Sequence, residues 1–316
     1  MRDELFQAIS KKASYEEVRE ILEKHPKAAK LTDIRNQNSA LHYALIYCAS
    51  NNVIELLLNA YCEATKVPNI FGCLPLHSAL ENKASAEIII ILLNANCEAT
   101  KAIDIGGMLP LHFALIYEAS DDIIKMLFSA NPEATKVLWN EGQLPLHLSL
   151  FSKASEDIAT MLFFENPEAT KVQTKQGSLP LHFSPIYKAS GGIIKMLFDA
   201  NHEATKVQDN YGCLPLHSAL MYEASDDIMK MLCSAHWEAT KVQNNYGDLL
   251  LYCAQQIKAS SNSISGSVPQ GFKDTELRRK IIFLLCTTST LGSQPGCHRD
   301  ASWHLPKFTL TENYFR

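Results

Sequence analysis

Six histidines recur at a constant step in this chain: His42, His77, His112, His147, His182 and His217. Imidazole can ligate zinc or move a proton, so a column of six invites a metal or catalytic reading. The step of 35 residues (42 to 77 to 112) argues against it. Residues repeating at such a period sit on neighbouring elements, and packed helices lie about 8–10 Å apart. Zinc ligands sit about 2 Å from the metal, so no two members could share an ion. The expectation is a buried histidine bonded to nearby backbone. The nine cysteines are odd in number and contain no C-x-x-C pair. Cys62 and Cys97 are again one step apart, whereas a disulfide needs Cα atoms within about 7 Å. Structural thiols in a reducing compartment, cytoplasm or nucleus, are expected. Cys286, Cys297, His298 and His304 form a loose group without zinc spacing. No metal and no cofactor is expected.

Lysines recur in the same way, at Lys66, Lys101, Lys136, Lys171, Lys206 and Lys241. Each follows a glutamate three residues earlier within Glu-Ala-Thr-Lys. Opposite charges in register cancel the field, so a solvated ladder is expected and not a nucleic-acid stripe. The net charge of −5 likewise supplies no global basic field. Gly-rich phosphate loops, H-E-x-x-H and G-x-S-x-G are all missing from the sequence. No catalytic residue, enzymatic activity or small-molecule substrate is therefore expected. The longest aliphatic run, Ile88 to Leu93, is far short of the ~20 residues of a bilayer span. The charged start, Met1-Arg2-Asp3-Glu4, lacks the apolar region of a secretory signal. Neither a membrane span nor secretion is expected.

The elements that carry these columns follow from the repeat. Leu-Pro-Leu-His occurs at Leu74–His77, Leu109–His112, Leu144–His147, Leu179–His182 and Leu214–His217. Gly72, Gly107, Gly142, Gly177, Gly212 and Gly247 precede the motif, with Gln37 in the first unit. Ala-Ser recurs from Ala49 to Ala259. Each unit reads as two short helices and a turn. The first helix starts on the proline, whose missing N–H would be unpaired there in any case. Its buried stripe is Leu76, Ala79 and Leu80, an i, i+3, i+4 pattern. The serine of Ala-Ser is an N-cap for the second helix. That helix, as in Ile123, Ile124, Met126, Leu127 and Phe128, is apolar enough to require burial on more than one side. Glycine before the motif can take the positive φ of a tight turn. One unit cannot bury its own apolar faces, so stacked neighbours must supply a continuous core.

The expected class is an all-α repeat solenoid with six clear units over 35–246. Residues 1–34 read as a degenerate N-terminal cap, with Leu5, Phe6, Ala8 and Ile9 in the places of Leu76, His77, Ala79 and Leu80. Residues 247–287 read as a degenerate last unit, interrupted by a Ser/Gly-rich insert at 261–278. Residues 288–316 carry no period and read as a flexible tail.

Gly-x-Leu-Pro-Leu-His followed by Ala-Leu resembles the ankyrin repeat, whose hallmark is Gly-x-Thr-Pro-Leu-His. The period of 35 exceeds the family's usual length, and leucine replaces the motif threonine at 74, 109, 144, 179 and 214. That threonine caps the first helix in the family, so the cap here is missing or replaced. Pro185, in the place of Leu80 and Leu115, is expected to shorten or kink its helix. The resemblance implies a hairpin-like finger plus two antiparallel helices per unit, in an array that binds protein partners on its concave side. The function expected is a non-enzymatic protein-interaction scaffold. The alternative is a regulatory or recognition subunit of a larger assembly, such as a ubiquitin-ligase adaptor or an enzyme inhibitor.

Positions that vary while the frame stays fixed are the candidates for partner binding. After the first helix they read Ile46-Tyr47, Glu81-Asn82, Ile116-Tyr117, Phe151-Ser152, Ile186-Tyr187 and Met221-Tyr222. On the fingers they include Ile70, Phe71, Trp139 and Tyr211. Exposed, these side chains would form an apolar anchor set of the kind that dominates interfaces. Turned inward, they would only fill the core between units. The sequence leaves both readings open.

Overall fold

The computed structural model describes residues 2–139, 141–236, 238–239 and 242–245. The first unit holds α1 (Arg2–Ser10) and α2 (Tyr15–Lys24). Six further units follow: α3 (Ala40–Ile46) with α4 (Asn51–Ala60), α5 (Pro75–Glu81) with α6 (Ala86–Ala95), and α7 (Pro110–Ile116) with α8 (Asp121–Ala130). Then come α9 (Pro145–Phe151) with α10 (Glu156–Glu165), α11 (Pro180–Ile186) with α12 (Gly191–Ala200), and α13 (Pro215–Met221) with α14 (Asp226–Ala235). Odd-numbered helices pack on one another in sequence order, and so do even-numbered ones. An isolated antiparallel β bridge joins Thr32 and Ser39. The last unit at 247–287, its insert at 261–278 and the tail at 288–316 lie outside the described residues.

Five first helices start on the proline, as its lack of an N–H dictates. Without the threonine hydroxyl the histidine N–H turns to the leucine carbonyl, as His77 does to Leu74 at 2.9 Å, and histidine keeps only the reciprocal half of the cap. Nδ1 of His77, His112, His147, His182 and His217 accepts the N–H of the motif leucine three residues back, at 2.9–3.2 Å. Only α3 has a serine there. Ser39 Oγ accepts the His42 N–H at 3.3 Å, and His42 Nδ1 accepts the Ser39 N–H at 3.2 Å.

Each first helix ends one residue before its cap and then turns through a left-handed residue. That residue is Lys12, Cys48, Lys83, Glu118, Lys153, Lys188 or Glu223, with φ between 52° and 57°. The following alanine N–H returns to a carbonyl five residues back, as Ala84 does to Ala79 at 2.9 Å. This closes a Schellman turn without the usual glycine. The serine then caps the second helix. Ser14, Ser85, Ser155 and Ser190 accept an N–H in its first turn, while Ser50, Ser120 and Ser225 occupy the same place without that bond.

Two expectations need correction. Pro185 does not shorten α11, which has the same seven residues as its neighbours. The proline removes the N–H that would reach the Leu181 carbonyl, and Ser184 Oγ donates to that carbonyl instead, at 3.3 Å. The second helices are buried along one stripe and not all round. In α6, Ile88, Ile89 and Leu92 are buried, but Ile90 is 42% exposed.

Glu-Ala-Thr-Lys lies in the 3₁₀ turn after α4, α6, α8, α10 and α12, such as Cys62–Lys66 and Pro132–Lys136. Its alanine and threonine are buried, and the threonine hydroxyl donates back to the carbonyl three residues earlier. The residue just before this turn ties the units together. Asn96, Asn131, Asn166 and Asn201 each donate from Nδ2 to the threonine carbonyl of the preceding unit, at 2.9–3.1 Å. The buried core runs unbroken from Leu5 to Ala239.

A finger precedes each first helix. Before α5, α7, α9, α11 and α13 its glycine has φ between 72° and 82°, and before α3 Gln37 holds that place at φ 56°. A Cβ on Gly142 would also sit 3.1 Å from the Lys175 N of the next finger, so conformation and close approach both require glycine. Adjacent fingers are joined through backbone: Ile105 N–H donates to the Phe71 carbonyl and Lys175 N–H to that of Glu141.

Candidate interaction surface

The histidine column resolves into structure. All six rings are fully buried. Because Nδ1 accepts from backbone, Nε2 carries the proton. It bonds the Cys73 carbonyl from His42, Val137 from His112, Val172 from His147, and both Val207 and Cys213 from His182. Those carbonyls belong to the next finger, so each of these four imidazoles bridges its own helix start to its neighbour. Burial pushes His42, His77, His112, His147 and His182 down to about 4, against weaker opposing backbone bonds. They are neutral structural donors near pH 7.

Lys66, Lys101, Lys136, Lys171 and Lys206 each meet the glutamate three residues back at 2.9–3.0 Å. All are more than half exposed, so each pair adds little stability and leaves little net charge. Cys48, Cys62 and Cys97 are exposed free thiols, and Cys73 is buried, which pushes its thiol up to about 12.

The variable pairs form one row. Ile46, Glu81, Ile116, Phe151, Ile186 and Met221 are the last residues of α3, α5, α7, α9, α11 and α13. Tyr47, Tyr117, Tyr187 and Tyr222 are the caps that follow. Members touch across unit boundaries: Tyr117 Oη donates to Glu81 Oε1 at 3.2 Å, and the Phe151 and Tyr187 rings lie 5.1 Å apart, edge to face. Tyr47 and Met221 are exposed, while Ile46, Ile116, Tyr117, Phe151, Ile186, Tyr187 and Tyr222 are half-buried. Tyr117 and Tyr187 also pack against the core. The row is thus part support and part surface.

Finger residues lie apart from this row. Ile70 and Tyr211 are exposed, whereas Phe71 is half-buried against the core. Trp139 occupies the base of its finger. There Asn69, Asp104 and Asp209 accept backbone N–H groups from their own fingers. The Trp139 ring is half-buried, and Nε1 donates to Gln143 Oε1 at 3.1 Å.

Two features escaped the sequence reading. A second aromatic tier supports the row: Tyr43, Phe113 and Phe183 lie 5.5–6.0 Å from Tyr47, Tyr117 and Tyr187. Their i, i+4 spacing was the available signal. The fingers also expose Ile103 and Leu138, each more than half open. Their column continues as Gln173 and Gln208, which marks an apolar stretch confined to the earlier units.

No helix among the described residues is long and apolar enough to cross a membrane. Residues 45–138 match the family model described as ankyrin repeats (3 copies). No curated protein matches the chain by sequence. A solved structure with the same fold is the ankyrin repeat domain of Bcl-3, described as a unique member of the IkappaB protein family. It is 18% identical, with a TM-score of 0.53, and the match covers 72% of this chain and 96% of that one. Stacked helix pairs, positive-φ glycine fingers and the Leu-Pro-Leu-His helix start, taken with these matches, give the chain the ankyrin-repeat fold, with residues 45–138 matching the family's own repeats.

Proposed function

We propose that the chain is a non-enzymatic interaction scaffold that holds an apolar, helical segment of a partner protein. The segment lies along the row Ile46, Tyr47, Ile116, Tyr117, Phe151, Ile186, Tyr187, Met221 and Tyr222. One observation carries this reading. At two unit boundaries a helix-end side chain meets the tyrosine cap of the next unit, Glu81 with Tyr117 and Phe151 with Tyr187, yet no member of the row is fully buried. Aromatic groups already held by a second tier lose little freedom on binding, which favours affinity. Ile70, Phe71, Trp139 and Tyr211 on the fingers form a second edge for the same partner. The exposed thiols Cys48, Cys62 and Cys97 support residence in the cytoplasm or nucleus, where reduced cysteines persist.

The test is the double variant Tyr117→Ser, Tyr187→Ser, with partner capture and thermal unfolding measured on the same preparation. Lost capture with a small change in melting temperature is the expected result. A large fall in melting temperature with capture retained at lower temperature would assign these rings to the core instead.

A further inference from the structure

The helix-end column reads Ile46, Glu81, Ile116, Phe151, Ile186 and Met221, so one of six otherwise apolar places is a carboxylate. The fold does not require it, since five units close the same position with an apolar side chain. Glu81 is half-buried and receives the Tyr117 hydroxyl on Oε1 at 3.2 Å. A carboxylate has about four acceptor sites, and Tyr117 supplies one neutral donor to them. Burial, and to a lesser degree the nearby Asp104 carboxylate, raises its carboxyl above the usual range. Among the described residues no Lys, Arg or His forms an ion pair with it. Lys83, two residues on, is directed to Glu118 at 3.7 Å. Ile46 and Ile116 stand one unit to either side, and Tyr47 and Tyr117 offer ring surface for an alkylammonium or guanidinium group.

We propose that Glu81 selects the occupant of the row: an otherwise apolar segment of a partner protein that carries one Lys or Arg opposite this carboxylate. The proposal rests on the reading of the row as a peptide site. A cation there supplies charged donors and gains from reduced screening, as charge-assisted bonds do in partly dry places. It also fixes the register of the segment, which apolar contacts alone leave free to slide.

The probe is a phage-displayed library of random linear peptides, selected on the full chain. Enriched peptides should carry one basic residue among apolar ones. Its replacement by norleucine should weaken binding about tenfold or more. Glu81→Gln should weaken the same peptides equally, and Glu81→Lys should shift enrichment to an acidic residue. Glu81→Ile, which copies Ile46 and Ile116, is the variant to use if the others lose their circular dichroism spectrum. Peptides that lose binding in the Tyr117→Ser, Tyr187→Ser variant but ignore Glu81→Gln would overturn the charge selection and leave the peptide site standing. Peptides indifferent to the tyrosines, or no binding peptide at all, would overturn the peptide site itself.

Discussion

Acidification from about pH 7.5 to about pH 5.5 should remove much of this protein's stability, and the five histidines His42, His77, His112, His147 and His182 are the reason. Burial holds each imidazole near 4, against an ordinary value of 6.5. The folded state therefore stays neutral while the unfolded chain takes up protons below 6.5. Stability is complete above that value and is lost as pH falls from 6.5 towards 4. Over the stated interval each histidine removes about 1.3 kcal/mol, from one proton gained by the unfolded chain alone. Five independent sites would sum to about 6–7 kcal/mol, comparable with the 5–15 kcal/mol total stability of an ordinary domain. Glu81, Asp104 and Asp209 act in the opposite sense, since their carboxyls are raised in the fold and offset part of the loss at the acid end. Urea unfolding followed by far-UV circular dichroism across this range measures the slope. His147→Gln should lower stability at neutral pH, yet flatten the mean slope over this interval by about 0.7 kcal/mol per pH unit. A stability independent of pH over this interval, or an unchanged slope in the His147 variant, would show that the rings are not held neutral by burial.

Lys153 sits in the left-handed region at φ 55° with its side chain exposed, so Lys153→Gly should raise stability by about 0.5–1 kcal/mol, read as a higher urea midpoint. Asn131→Ala removes a buried amide that donates to the Thr100 carbonyl at 3.0 Å and leaves that carbonyl unpaired. It should cost about 1–3 kcal/mol, seen in a thermal melt, and loosen hydrogen exchange at the junction of α6 and α8.

Much of the local architecture was legible because glycine, proline and serine restrict backbone in ways independent of context. Pro75 and its equivalents started helices, Gly142 and its equivalents took positive φ, and the serine after each alanine stood at a helix start. The left-handed column escaped notice because lysine, glutamate and cysteine do not advertise that conformation. It is imposed by the turn that must return the chain to its second helix. The asparagine bridges escaped because their acceptors lie 31 residues away in the preceding unit, as Asn131 to Thr100. Pro185 misled because its cost depends on whether another donor reaches the Leu181 carbonyl, and Ser184 does.

By itself the sequence determined the unit: its length, its two helices, its fingers and the neutrality of its charge ladder. These follow from rules that act within a few residues, or from a period that repetition makes unmistakable. Only the tertiary structure decided how far the row of tyrosines is open and which neighbour each one touches. Exposure and pairing depend on the packing of adjacent units, which no residue encodes alone. Tyr117 meets a carboxylate and Tyr187 a phenyl ring because the preceding units end in Glu81 and Phe151.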